Sequence, residues 1–131
     1  MGLDPQTWLK VAESQIGVTE PESAKYFSAT DFDGPLGYAP YCAAFVNWVL
    51  RKAGLSGTGH ANAISFANWG VEVDEGTLGA IVVFEWDNGH HHVSFYHGGG
   101  KFLGGNQTSD HLVCNEHISF DYAIAWKWPR G

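Results

Sequence analysis

From residue 41 the chain carries the stretch Tyr41-Cys42-Ala43-Ala44-Phe45-Val46-Asn47-Trp48-Val49-Leu50, which has the pattern of an amphipathic helix. Counted from Cys42, apolar residues recur at i, i+3, i+4, i+7 and i+8, the stripe of a helix that faces a core. Pro40 precedes the first turn and Gly54 follows the last, as helix start and stop signals do. A cysteine at a helix N-terminus meets the positive end of the helix dipole, which favours its thiolate.

The composition is that of a globular domain with an acidic surface. The 131 residues are 44% hydrophobic and 16% charged, so we expect one folded domain spanning residues 1–131. Seven basic residues stand against 14 acidic ones, for a formal charge of −7. Because no cluster of lysine or arginine occurs, nucleic acid is excluded as a partner.

The two cysteines and the N-terminus bear on the cellular setting. Cys42 and Cys114 are too few for a disulfide framework. The first residues lack the basic and apolar regions of a secretory signal, and no apolar run reaches membrane-spanning length. We therefore expect synthesis in the cytoplasm without a signal peptide, and no membrane insertion. The sequence gives no indication of the oligomeric state.

Helices are predicted in the first half of the chain and strands in the second. Residues 7–16 and 61–69 have helical patterns on either side of the central helix, and residues 18–41 are rich in turn signals. Alternating or β-branched runs predict an antiparallel sheet, with strands at residues 80–86, 92–97, 101–103, 112–117 and 122–128. The arrangement is an α+β fold with helices packed on one face of the sheet.

Two later residues supply what a nucleophilic Cys42 would need. A thiol nucleophile requires a base within hydrogen-bond reach, and a third group that holds the base. His92 begins the second predicted strand, and Asn106 follows the third. A hairpin between those strands would bring Asn106 beside His92, where its side-chain carbonyl accepts the imidazole N–H.

Together these motifs resemble the NlpC/P60 and CHAP-related cysteine peptidases of the papain-like superfamily, and most of all its compact single-domain group from phage and bacterial genomes. The matching pieces, in family order, are Tyr41-Cys42-Ala43-Ala44-Phe45-Val46-Asn47-Trp48, Gly79-Ala80-Ile81-Val82-Val83-Phe84, His92-Val93-Ser94-Phe95-Tyr96 and Leu103-Gly104-Gly105-Asn106-Gln107. The sequence differs from the family pattern at Ala80, where an Asp is usual, and at His91 and Ser94, where glycines are usual. Tyr41 replaces a usual Trp.

The resemblance implies hydrolysis of an amide bond in bacterial peptidoglycan, with no cofactor and no metal. It assigns the nucleophile to Cys42, the base to His92 and the orienting residue to Asn106. The oxyanion is then held by the backbone N–H of Cys42 and a second donor, for which the candidates are Tyr26, Tyr41 and Gln107.

Several activities of this fold remain open at this stage. The bond lies in the stem peptide or crossbridge, or it is the N-acetylmuramoyl-L-alanine amide; another amidase, an acyltransferase and an inactive cell-wall binding module are alternatives. The expected bacteriolytic setting is a phage endolysin that reaches the wall through a holin, an effector delivered by a secretion system, or a prophage remnant.

Each candidate residue also has a purely structural interpretation. Cys42 is placed where a buried cysteine packs well, and Asn106 follows two glycines in a position typical of a turn. The run His90-His91-His92 suggests a metal site, but neighbouring strand residues point to opposite faces of a sheet. We therefore interpret His90 and His91 as turn and surface residues, and Cys114 as structural.

Overall fold

The computed structural model describes residues 3–34 and 40–130. Two α-helices come first, and all six strands of the described residues follow the second helix. The α-helices are α1 (Gln6–Glu13) and α2 (Cys42–Lys52), and 3-10 helices span Glu20–Ala29, Ala63–Asn68 and Phe120–Tyr122. The strands are β1 (Val71–Glu72), β2 (Ile81–Glu85), β3 (His91–Gly98), β4 (Lys101–Gln107), β5 (Leu112–His117) and β6 (Ala123–Trp128).

The six strands form one antiparallel sheet in the order β1-β6-β2-β3-β4-β5. The strands from β2 to β5 are joined as a meander, and β6 returns to pair with β2 on its other side. In the β2–β3 pair, Phe84 lies opposite His92. The predicted α+β fold is therefore confirmed.

Local sequence signals account for the ends of both α-helices. Gln6 N–H donates to Asp4 Oδ1 at 2.9 Å, so the Asp4 side chain satisfies a backbone donor in the first turn of α1. Gly54 follows α2 at φ +82°, and the N–H groups of Gly54 and Leu55 donate back to the carbonyls of Arg51 and Leu50. This is a Schellman motif, which favours glycine because of the positive φ.

Both faces of the sheet are apolar, which explains the unbroken apolar run of β2. Ile81 and Val83 pack towards the helices, whereas Val82 and Phe84 pack into a second cluster on the opposite face. That second cluster is covered by aromatic residues from the segment that includes the 3-10 helix Phe120–Tyr122. A strand buried on both faces carries little alternation in hydropathy.

The structure differs from the sequence predictions mainly in its short elements. A 3-10 helix occupies residues 20–29, begun by a capping box between Thr19 and Glu22, where turns were predicted. The predicted helix at 61–69 is also a 3-10 helix. Strand β4 runs on through Gly104-Gly105-Asn106 to Gln107, where a turn was predicted. Part of the predicted turn region, 35–39, lies outside the described residues.

Among the described residues, no helix combines the length and the apolar character that crossing a membrane requires.

Candidate active site

Cys42 is the first residue of α2, and its side chain lies against β3. The residue is 5% exposed. No side chain caps this helix, so N–H groups of the first turn remain open to a negatively charged atom. The backbone N–H groups of Ala43, in the same turn, and of Val93, on β3, lie near the sulfur and lower the pKa of the thiol. These contacts favour a thiolate at Cys42.

The His92 imidazole and the Cys42 thiol line the same cleft and are close enough for each to shift the pKa of the other. Burial raises the pKa of the thiol, but the neighbouring His92 and the backbone N–H groups of Val93 and Ala43 together bring the pKa of Cys42 below its ordinary value of 9.0. The two residues therefore favour each other's charged forms.

His92 is 6% exposed, and its pKa moves in the opposite direction. Burial lowers the pKa of the imidazole, but the hydrogen bond and charge of Cys42, the hydrogen bond of Gln107 and the charge of Glu116 together raise it above 6.5. The lowered pKa of Cys42 favours the thiolate and the raised pKa of His92 favours the imidazolium, so both shifts act towards an ion pair.

Gln107 holds the His92 ring, and Asn106, for which the sequence predicted this role, does not. Gln107 Oε1 lies 2.9 Å from His92 Nε2. Gln107 Nε2 donates to the carbonyls of Phe102 and Cys114, at 3.0 and 2.9 Å. Since carbonyls only accept, the amide oxygen must face the ring, and His92 Nε2 must carry a proton. Nδ1 is then the ring nitrogen left for the thiol.

Asn106 instead stands at a β-bulge between β4 and β5. Its Oδ1 lies 2.9 Å from His111 Nδ1, across the turn that joins the two strands. Gly104 pairs with Cys114 and Gln107 with Leu112, so two residues of β4 lie opposite one residue of β5. Asn106 adopts φ +58°, a conformation that asparagine tolerates better than most residues.

The bulge explains why Gln107 faces the base. In a regular strand Asn106 would share the face of Gly104, and Gln107 would point towards α2. One extra residue reverses this alternation, so the Gln107 amide folds over Gly104. A Cβ added at Gly104 would lie 2.5 Å from Gln107 Oε1, and glycine at this position is therefore required by the amide.

Gly105 allows a second close approach, on the helix side of β4. A Cβ there would lie 2.7 Å from the Tyr41 ring and 3.0 Å from Phe45 Cβ. Tyr41 immediately precedes Cys42, so this contact fixes the distance between β4 and the start of α2. The Gly-Gly pair is therefore a packing requirement at both faces of the strand.

The side chains predicted as second oxyanion donors are all engaged elsewhere. Tyr26 is fully buried and its hydroxyl donates to Gln15 Oε1 at 2.8 Å. The Tyr41 hydroxyl donates to the carbonyl of His111, and the Gln107 amide holds two carbonyls as described. The first turn of α2 therefore remains as the source of oxyanion donors next to the sulfur.

Cys42 and His92 lie at the base of a cleft of about 990 Å³. One wall is the loop of residues 60–64, and Asn47 on α2 fixes it. The Asn47 side chain accepts from Gly59 N–H at 2.9 Å and donates to the His60 carbonyl at 2.9 Å. The sequence analysis took Asn47 only as part of the helix, because its polar side chain carries no motif of its own.

The cleft is also lined by Trp86, the histidines at 90 and 91, and Asn106. His91 Nε2 lies 2.9 Å from Glu85 Oε1, and both side chains are partly exposed. Ser94 is fully buried and does not line the cleft, so its replacement of a family glycine does not narrow the opening. Within residues 3–34 and 40–130, no group of three or more histidine, cysteine, aspartate or glutamate side chains is arranged to hold a metal ion.

Comparison with known proteins adds the following. The sequence model of the CHAP domain matches residues 33–103, more than half of the chain and a stretch that includes Cys42 and His92. A crystal structure of a protein similar to lipoprotein, of the NLP/P60 family, from Staphylococcus aureus subsp. aureus Mu50 has the same fold, with a TM-score of 0.60 and 20% identity. The alignment covers 97% of this chain and 43% of that one, so this chain spans less than half of that protein. No curated protein matches the chain.

The two free cysteines provide a matched pair for testing the thiolate. Burial raises the pKa of the Cys114 thiol, as does the charge of Glu116, although a hydrogen bond from Gln107 acts against this. At pH 6 an ordinary thiol with a pKa of 9.0 is about one part in a thousand thiolate. We expect iodoacetamide at pH 6 to alkylate Cys42 and to leave Cys114 unmodified, as measured by peptide mapping. Cys42→Ala should show no fast alkylation, and equal rates at the two cysteines would contradict the assignment.

Substitutions at 106 and 107 separate the two candidates for the orienting role. Gln107→Ala should lower the rate of Cys42-dependent hydrolysis about 10- to 100-fold, since a hydrogen bond to a charged group contributes about 1.5–3 kcal/mol. Asn106→Gly removes the side chain and keeps the positive φ, so it should retain most of the activity.

Asn106→Val serves as the control for the bulge, because a β-branched residue is strained at positive φ. It should lower both the melting temperature and the activity. Greater loss of activity in Asn106→Gly than in Gln107→Ala would show that the Asn106 side chain orients the base.

Proposed function

The chain belongs to the CHAP domain family, and on this premise we propose that it is a cysteine-dependent hydrolase that cleaves an amide bond in bacterial peptidoglycan. The family is one of cell-wall peptidases and amidases. We assign the nucleophile to Cys42, the base to His92 and the orienting role to Gln107.

One observation supports this proposal most strongly. The Cys42 thiol and the His92 imidazole line the same open cleft, and each favours the charged form of the other. A purely structural cysteine gains nothing from a neighbouring base that is itself held by a third group. This arrangement of three groups is what nucleophilic catalysis by a thiol requires.

In the first half of the reaction, Cys42 Sγ attacks the amide carbonyl carbon. The negative charge that develops on the carbonyl oxygen is stabilised by N–H groups at the start of α2. As the tetrahedral intermediate collapses, the C–N bond breaks and His92 donates its Nδ1 proton to the leaving amine. The product is a thioester at Cys42 and a neutral His92.

In the second half, His92 removes a proton from water, and the resulting hydroxide attacks the thioester carbonyl. Collapse of the second intermediate releases the carboxylic acid and restores the thiolate and the imidazolium. Throughout both halves Gln107 Oε1 accepts from Nε2–H, so the ring keeps Nδ1 towards the sulfur and the substrate.

The charges of the cleft favour a bond in the stem peptide or crossbridge that lies away from free carboxylates. Asp31, Asp33 and Glu116 line the cleft, whereas none of the seven lysines and arginines, all of which lie in the described residues, does. A substrate carboxylate bound here would meet like charges and no lysine or arginine, and such a pairing is unfavourable. Uncharged or amine-bearing peptide segments avoid this cost.

Other results of the test described below would support one of three alternatives. In these the protein is an N-acetylmuramoyl-L-alanine amidase, another amidase or acyltransferase, or an inactive cell-wall binding module. We further propose that the protein is made in the cytoplasm and delivered to the wall by a holin or a secretion system, as a phage endolysin or an effector.

The test is digestion of purified sacculi from several bacteria that differ in stem peptide and crossbridge. We expect wild-type protein to release muropeptides whose masses identify a cleaved peptide bond, and Cys42→Ala to release none. Sacculi with amidated stem peptides should be digested faster than those with free carboxylates, because of the charges of the cleft.

Cys114→Ala is the matched control and should digest sacculi at the wild-type rate. Release of lactyl-bearing glycan from intact stem peptides would indicate the amidase instead. Binding of wild-type protein to sacculi without release of any fragment would show that the protein is a binding module without hydrolytic activity.

A further inference from the structure

The Trp86 indole lies against the imidazole of His92. Their ring centroids are 5.9 Å apart and their planes are inclined by 25°. Phe84 lies at the same distance from His92, at 32°. The proposed chemistry does not account for either aromatic ring.

The centroids of the three rings form a triangle with similar sides, and only one of the two rings beside His92 reaches the cleft. Phe84 and Trp86 are stacked on each other at 5.7 Å and 8°. With all three separations so similar, Phe84 and Trp86 do not lie on opposite faces of His92, because rings on opposite faces would be farther apart. Phe84 is fully buried, whereas Trp86 is half-buried and lines the cleft.

The indole is held in this position before any substrate binds. Trp86 N–H donates to the His90 carbonyl at 2.8 Å, and Gly89 N–H donates to the Trp86 carbonyl at 2.9 Å, so its backbone is part of the turn into β3. Tyr122 packs edge-to-face on the indole at 5.2 Å and 69°. A ring fixed by backbone and side chain can in turn fix the ring that it touches.

Charged and polar groups on three elements favour the protonated form of His92, and the face of an aromatic ring favours the same form. Cys42 on α2, Gln107 on β4 and Glu116 on β5 all favour the imidazolium, and burial alone opposes it. The face of an indole attracts a nearby cation, more strongly than that of any other aromatic side chain.

We propose that Trp86 is a positioning residue for the base, which holds the His92 imidazole in the plane that meets Gln107 and favours its protonated form. The inference deepens the proposed cysteine hydrolase function and rests on it for its catalytic meaning. Trp86 acts through His92 and not through the reacting atoms.

The test is the NMR titration of His92 in Trp86→Leu and Trp86→Phe, with the His92 resonance assigned from its absence in His92→Gln. An indole at a partly exposed site contributes about 0.5–1 kcal/mol to a cation, so we expect the His92 titration in Trp86→Leu to fall by about half a pH unit. Trp86→Phe should show a smaller fall, because a phenyl face attracts a cation less.

Two features of this titration ensure that each result either supports or overturns the proposal. Removal of the indole also admits water, which would relieve the burial that lowers the His92 pKa and so move the titration upward. An upward shift or no shift in Trp86→Leu would therefore overturn the proposal. If Trp86→Leu does not fold, Trp86→Met replaces it, since the flexible methionine side chain fills irregular space.

Trp48→Leu is the matched control. Trp48 is also half-buried, but it packs on Tyr26, and its loss should leave the His92 titration unchanged. The titration requires no cell-wall substrate. A downward shift in a protein that does not digest sacculi would uphold the role of Trp86 and reject the hydrolase, whereas digestion without a shift would do the reverse.

Discussion

The contact between the Cys42 thiol and the His92 imidazole joins the two layers of this protein, because α2 supplies one partner and β3 the other. Both side chains are about 95% buried, and a charged group at such depth is unfavourable without a partner of opposite charge. Each charged form is therefore stabilised by the other. The first turn of α2 lies next to the sulfur, and the Gln107 amide oxygen accepts from the His92 ring.

Much of the neighbouring sequence is explained by the need to hold this contact. Gly104 makes room for the Gln107 amide, and Gly105 lets β4 approach Tyr41 and the start of α2. The bulge at Asn106 turns Gln107 to the correct face. These features follow one another in four consecutive residues, so a single short segment sets the position of His92 relative to Cys42.

The sequence was sufficient to predict the elements that depend on periodicity. The apolar stripe of α2, the strands and the position of His92 at the start of a strand all follow from patterns of 3.6 or 2 residues. These patterns placed Cys42 and His92 as candidates. The 3-10 helices were not predicted as such, because their short turns leave little periodicity to detect.

The orienting residue was misplaced for a related physical reason. Strict alternation assigns Asn106 to the face of Gly104, and only the extra residue of a bulge moves Gln107 there. The signal for a bulge was present in the Gly-Gly-Asn sequence, since asparagine tolerates positive φ, but the same three residues are equally typical of a turn. Asn47 was missed because its contacts join α2 to a loop distant in the chain, and no local pattern reports them.

The protonation state of His92 tests the central claim most directly. At pH 7.5 an ordinary histidine, with a pKa of 6.5, is about nine-tenths neutral. The ¹⁵N shifts of His92 in wild-type protein at this pH should show protons on both ring nitrogens, and those of Cys42→Ala should show a neutral ring with the proton on Nε2. A neutral His92 in the wild-type protein, unchanged by the loss of Cys42, would contradict the thiolate–imidazolium pair and the catalytic account built on it.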